Sequence, residues 1–151
     1  MKEKNIMITG ASSGIGWAAA EALAAEGARL ILCGRRENRL KKLQAQLDTP
    51  SHLLVFDVRD RKKVFEKINS LPEAFSSIDI LINNAGNAHG LNPVHKADLN
   101  DWDAMIDSNV KGLMYVTKAA LPSMISRKTG HIINLGSIAG KEVYPNGSVY
   151  C

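Results

Sequence analysis

Five apolar runs of strand length divide this chain, and a helix-patterned segment fills most of the gaps between them. The runs are "NIMIT" (5–9), "ARLILCG" (28–34), "HLLVFDV" (52–58), "IDILINNAG" (78–86) and "GHIINLGS" (130–137). Their apolar residues are contiguous, as expected of strands buried on both faces. Between them lie "GWAAAEALAAEG" (16–27), "ENRLKKLQAQL" (37–47), "DRKKVFEKINSL" (60–71) and "LNDWDAMIDSNVKGLMYVTKAALPSMISRK" (99–128). Leu40, Leu43 and Leu47 share one helical face, as do Val64, Ile68 and Leu71. Gly27 reads as a helix stop, and Pro122 as a kink or a mark of the last helical turns. Strands joined by helices predict a parallel sheet covered on both sides. With right-handed crossovers this is a doubly wound, three-layer α/β/α fold, one domain over 1–151. No repeat, low-complexity tract or linker interrupts it.

The first strand runs into "ITGASSGIG", which opens the first helix. Gly10, Gly14 and Gly16 give the spacing G-x-x-x-G-x-G. A glycine pattern alone is weak, because Gly punctuates many turns. Its place between a strand and a helix makes it a candidate dinucleotide turn of the Rossmann type, with a plain β–α turn as the alternative. Gly10 permits a tight turn, and missing Cβ atoms let a pyrophosphate approach the backbone. Free N–H groups and the helix dipole favour its charge, and Ser12 and Ser13 can add hydroxyl donors.

The second strand ends "CGRREN". In NAD-binding folds an acidic residue about 20 positions past the glycines takes the ribose hydroxyls. Arg35 and Arg36 stand there instead. Guanidinium groups fit a 2′-phosphate, so NADP is expected over NAD; two surface arginines opening a basic helix is the alternative. Asp57, in "FDVRD", ends the third strand, where its carboxylate could accept from an adenine amino group beside the Val58 N–H. Asp60 is the better cap for the next helix, which leaves Asp57 free.

Charge and composition exclude little. The formal net charge is +4, and the densest basic run, "RRENRLKKLQ", reads as a solvated helix face rather than a nucleic-acid patch. Two cysteines, Cys33 and Cys151, make no disulfide framework, and Cys33 reads as a buried strand residue. No secretory signal or membrane-length apolar stretch is present, so a reduced, cytoplasmic protein is expected. His52, His89, His95 and His131 lack metal spacing; core or solvent placement is expected, although His89 could line a substrate mouth. Met105, Met114, Met124 and Trp102 read as core or subunit interface.

Taken together, "TGASSGIG", "NNAG", the Asn of "SNVKG", the Ser of "GSIAG" and a Tyr 13 residues after it resemble the short-chain dehydrogenase/reductases over 5–151. More narrowly, "GRRENRL", "HKADLNDWDAMIDSNVKG" and "GHIINLGSIAG" resemble the NADP-dependent 3-hydroxy acid dehydrogenases, a group that includes serine and allo-threonine dehydrogenases. The resemblance implies that Gly10, Ala11, Ser12, Ser13, Gly14 and Ile15 hold the pyrophosphate side. It gives Arg35 and Arg36 the 2′-phosphate and Asp57 and Val58 the adenine. Asn84, Ala85 and Gly86 would sit against the cofactor ribose and steady the central strand. Asn109 would join a proton relay through a helix kink and a bound water. Ser137 would donate to the substrate oxygen, and Tyr150 would be the acid–base; Tyr144 lies at the wrong spacing. A homodimer or tetramer pairing through the long helix is also implied.

The implied reaction moves a hydride between a substrate carbon and nicotinamide C4 while the hydroxyl exchanges a proton. A phenol's pKa near 10 must fall by about three units, roughly 4 kcal/mol, to serve at neutral pH. In the family a Lys four residues after the Tyr and the oxidised nicotinamide supply that positive charge. That Lys would be at position 154, and the sequence stops at Cys151. The C-terminal part of the fold and the substrate lid are therefore expected to be missing, and residues 1–151 alone to be inactive, with "HIINLGS" an uncovered edge. The substrate reading is a 3-hydroxy acid such as serine or allo-threonine. A 3-oxoacyl thioester or other ketone is the alternative substrate, and a non-catalytic dinucleotide-binding module the alternative class.

Overall fold

Every strand lies where a contiguous apolar run was read. A computed structural model describes residues 1–151, with β1 (Asn5–Thr9), β2 (Arg29–Gly34), β3 (Ser51–Val55), β4 (Ile80–Asn83) and β5 (His131–Asn134). All pair in parallel, in the order β3-β2-β1-β4-β5. Met7 sits beside Ile31 on one side and Leu81 on the other. Side chains alternate between faces along each strand, so both faces must be dry. Ile6, Ile8, Leu30 and Leu32 pack with Leu40 and Leu43 on one face. Met7, Ile31, Leu54 and Leu81 pack with Val64, Ile68 and Val116 on the other. Burying a side chain of this size contributes about 1.5–3 kcal/mol.

The helices are α1 (Gly14–Ala25), α2 (Glu37–Gln44), α3 (Arg61–Asn69), a single turn α4 (Glu73–Ser76), α5 (Leu99–Met105) and α6 (Leu113–Arg127). After β3 the chain crosses back to place β4 beside β1. The winding direction reverses there, and a crevice opens at the carboxyl ends of β1 and β4.

Local signals worked where the physics was local. Gly27 adopts φ 76° and closes α1, with its N–H donating to the Ala24 carbonyl at 2.8 Å. Asp60 caps α3 by accepting from the Lys63 N–H at 3.0 Å. Pro122 lies in the closing turns of α6. Three expectations need correction. The strand readings at 52–58, 78–86 and 130–137 ran past the paired segments, because their carboxyl ends leave the sheet to form the crevice walls. The turn α4 was missed, being too short to show a helical period. The long helix is not uniform: Ile106–Gly112 is π-helical between α5 and α6, a local irregularity that often marks functional sites.

Edge strand β5 carries a half-exposed Ile133. No helix is long and apolar enough to cross a membrane. Burial pushes the Cys33 thiol up.

Candidate active site

The glycine turn is built against the chain that follows β4. Gly10 and Gly14 adopt φ 68° and 57°, a region that side chains resist. A Cβ on Gly10 would lie 2.8 Å from Asn84 Nδ2, and one on Gly16 2.5 Å from the same atom and 2.6 Å from the Gly10 carbonyl. The Asn84 amide therefore occupies the space those two glycines leave. It donates to the Thr9 carbonyl at 2.8 Å and lies 3.3 Å from that of Gly10. Thr9 Oγ1, almost fully buried, accepts from the Asn84 and Ala85 N–H groups, each at 3.0 Å. Gly10, read as permitting a tight turn, adopts the left-handed φ of such a turn, and its missing Cβ also leaves room for the Asn84 amide. Of the three glycines in this turn, Gly14 is the one whose missing Cβ faces open space. The Ala11 side chain lies in the core and its N–H donates to the Cys33 carbonyl at 3.0 Å.

Beyond the turn lies a crevice of about 340 Å³, lined by Gly10, Ser12, Ser13, Ile15, Arg35, Arg36, Phe56, Asp57, Val58 and Arg59 among others. Arg36 donates from Nε and a terminal nitrogen to Ser12 Oγ at 3.1 and 2.8 Å, and to Ser13 Oγ at 2.7 Å. Both hydroxyls accept, so their own protons remain for an anion. Asp57 is free of helix capping, as read, but its carboxylate is paired with an arginine that the reading did not foresee. Arg59 donates to it from Nε and a terminal nitrogen, at 3.1 Å to Oδ1 and 2.7 Å to Oδ2, and adds its backbone N–H at 3.0 Å. Arg35 approaches Oδ2 at 3.6 Å. Burial pushes the Asp57 carboxyl up, but the hydrogen bonds and charge of Arg59, with the charge of Arg35, outweigh it and hold the carboxyl below its ordinary 3.8. Three arginines against one carboxylate make this end cationic, as a phosphate requires.

A second hollow of about 570 Å³ shares Ile15, Asn84, Ala85, Gly86 and Asn87 with the first. Asn109, Ser137 and Tyr150 all line it. Ser137 caps the 3₁₀ turn Ile138–Gly140, accepting from the Ala139 N–H at 3.2 Å, and Tyr150 ends the turn Ser148–Tyr150. Asn109 sits in the π-helical stretch. Its Oδ1 accepts from the Asn87 N–H at 2.9 Å while its Nδ2 donates to the Asn87 carbonyl at 2.7 Å. The side chain thus clamps the wall between the two hollows. The sequence reading had put Asn109 at a helix irregularity but had not foreseen this clamp.

Other members escaped sequence reasoning. Asn87 and Ser108 line the first crevice, and Met105 the second. Asn83 donates to Thr117 Oγ1 and Asn134 Oδ1, each at 2.9 Å, tying β4 to β5 and α6 beneath the floor. The third Asn in "NNAGN" was the available signal for Asn87. His89 is exposed, and its N–H meets Met105 Sδ at 3.4 Å.

Residues 4–151 match the family model described as short chain dehydrogenase. NADP-dependent 3-hydroxy acid dehydrogenase YdfG of Escherichia coli O6:H1 is 46% identical over 145 residues, which are 96% of this chain and 58% of that protein. Sulfoacetaldehyde reductase 2 of Chromohalobacter salexigens is 49% identical over 148 residues, 96% of this chain and 59% of that protein. The closed form of serine dehydrogenase complexed with NADP⁺ superposes with a TM-score of 0.93 at 45% identity, covering 96% of this chain and 58% of that one. The chain thus spans somewhat under three fifths of the length of these proteins.

Proposed function

The chain belongs to the short-chain dehydrogenase family, and on that premise we propose that the whole protein is an NADP-dependent oxidoreductase acting on a small hydroxy or oxo acid. One observation carries the reading. The arginine-rich crevice beside the glycine turn adjoins the hollow lined by Ser137 and Tyr150, and the two share Ile15, Asn84, Ala85, Gly86 and Asn87. The residues present fit the cofactor: open space at Gly14 for a pyrophosphate, and cations with hydroxyls at Arg35, Arg36, Ser12 and Ser13 for a 2′-phosphate. When bound, NADP supplies or accepts the hydride.

The chain's own residues manage position and proton. Ser137 Oγ, accepting from the Ala139 N–H, keeps its proton to donate to the substrate oxygen. Tyr150 exchanges the substrate proton as that oxygen gains or loses charge. Asn109 keeps Asn87 in place on the wall that the two hollows share. The substrate is a 3-hydroxy acid, serine or allo-threonine, in keeping with the 46% identical 3-hydroxy acid dehydrogenase. A second reading, sulfoacetaldehyde, is favoured by the 49% identical reductase. The protein works in the cytoplasm as a dimer or tetramer, with exposed Met114 and Ile125 of α6 covered between copies.

Steady-state kinetics on the whole protein, with serine, allo-threonine, sulfoacetaldehyde and a 3-oxoacyl thioester as alternative substrates, test this. Ser137→Ala and Tyr150→Phe should each remove most of kcat, about 10²-fold or more, while NADPH still binds. Arg35→Asp with Arg36→Ala should move preference toward NADH. Undiminished turnover in Tyr150→Phe would end the catalytic assignment.

A further inference from the structure

Three arginines line the adenosine end of the crevice, and only Arg35 and Arg36 were legible as phosphate ligands. Arg59 lies beyond β3, lines the same crevice, and shares one carboxylate with Arg35. The sharing is unequal. Arg59 meets Asp57 at 2.7 Å, in a fork closed by Nε and the backbone N–H. Arg35 stands back at 3.6 Å, beyond hydrogen-bond distance, with its side chain 66% exposed. The other carboxylate that acts on Arg59, Asp107, is itself held by Lys111 at 2.8 Å. A planar fork satisfied by a carboxylate is the stronger arrangement, and Arg59 has taken it.

We propose that Arg59 is a cofactor-specificity residue that works through Arg35: by saturating Asp57 it leaves the Arg35 guanidinium free for the 2′-phosphate of NADP. Without Arg59, Asp57 has two open acceptor oxygens and one guanidinium in reach. It then draws Arg35 into a direct pair, which removes that donor from the phosphate and leaves the crevice one charge less positive. Arg59 is thus a positioning residue. This inference rests on NADP being the cofactor, and the experiment separates the two.

NADPH and NADH dissociation constants are measured by fluorescence titration for the whole protein, Arg59→Ala, Arg35→Ala and the double variant. The unaltered protein binding NADH as tightly as NADPH would remove the NADP reading itself. With that preference present, Arg59→Ala should weaken NADPH about tenfold, the scale of one charge-assisted hydrogen bond, and change NADH less than twofold. NADH also serves as the folding control, since it uses the same turn and lacks the phosphate. The double variant should bind NADPH no more weakly than Arg35→Ala alone. An unchanged NADPH affinity in Arg59→Ala, an equal loss for NADH, or additive losses in the double variant would each overturn the proposal; the last would mean that Arg59 touches the cofactor directly.

Discussion

Gly16→Ala tests whether Gly16 is glycine for packing rather than for the ligand. The added methyl would stand 2.5 Å from Asn84 Nδ2 and 2.6 Å from the Gly10 carbonyl, where ordinary contacts begin at 3.4 Å. The Gly10 carbonyl cannot swing away, because that residue is held at φ 68° in the turn. Overpacking of this kind costs about 1–3 kcal/mol. The Asn84 amide must also turn, loosening its 2.8 Å bond to the Thr9 carbonyl, worth about 1 kcal/mol. Against this, alanine gains up to about 1 kcal/mol over glycine in a helix, and less in the first turn, where Gly16 lies. The net is a loss of about 2 kcal/mol, which for a chain of this length lowers Tm by roughly 4–8 °C. Thermal melts followed by far-ultraviolet circular dichroism measure it, with urea midpoints as a second reading. Repeating the change in Asn84→Ala should recover the part due to the amide and leave the part due to the carbonyl. An unchanged or raised Tm for Gly16→Ala would refute the packing account, since propensity alone predicts a gain.

Gly14→Ala should behave oppositely. Its Cβ meets nothing within 4 Å, so only the strained φ of 57° counts, about 1 kcal/mol, while NADPH affinity falls at least tenfold as the methyl fills the ligand's space; loss of stability with intact binding would reverse the roles of the two glycines. Lys128 ends α6 at φ 52°, so Lys128→Gly should raise stability by about 1 kcal/mol in urea melts, and a fall would contradict the left-handed cap. Asp57 is held below its ordinary 3.8, so its ionised form contributes stability at pH above that value, and the contribution is lost as pH falls through the lower folded-state value. Urea titrations between about pH 5 and pH 3 should therefore show a steeper loss in the natural protein than in Asp57→Asn, and parallel curves would show that the Arg59 pair adds nothing.

The strands were legible because burial on both faces leaves a local mark, a contiguous apolar run. The Asp60 cap and the Gly27 stop were legible because their partners lie within one turn. The family resemblance put Ser137 and Tyr150 at one site, and both line the second hollow. Asn84 was expected beside a ribose and as a support of the central strand; its amide bonds the Thr9 carbonyl of β1, 75 residues earlier, and the packing over Gly10 and Gly16 was not legible. Asn109 was assigned to a relay, and its two-bond clamp on the Asn87 backbone spans 22 residues. The Arg59 fork on Asp57 was not legible, because Arg59 carries no periodic signal to say that it turns back on the carboxylate.

Residue order alone determined the alternation of strand and helix, the glycine spacing of the first turn and the pair of arginines that ends the second strand. The sheet order β3-β2-β1-β4-β5 was decided only by the folded chain, and with it the reversal beside β1 that opens the crevice. Which glycine packs, which stays open and which arginine holds Asp57 were decided there too. Periodicity and capping act within a few residues. The exclusion by Asn84 and the approach of Arg35 to Asp57 depend on groups that only the assembled sheet brings within 4 Å of each other.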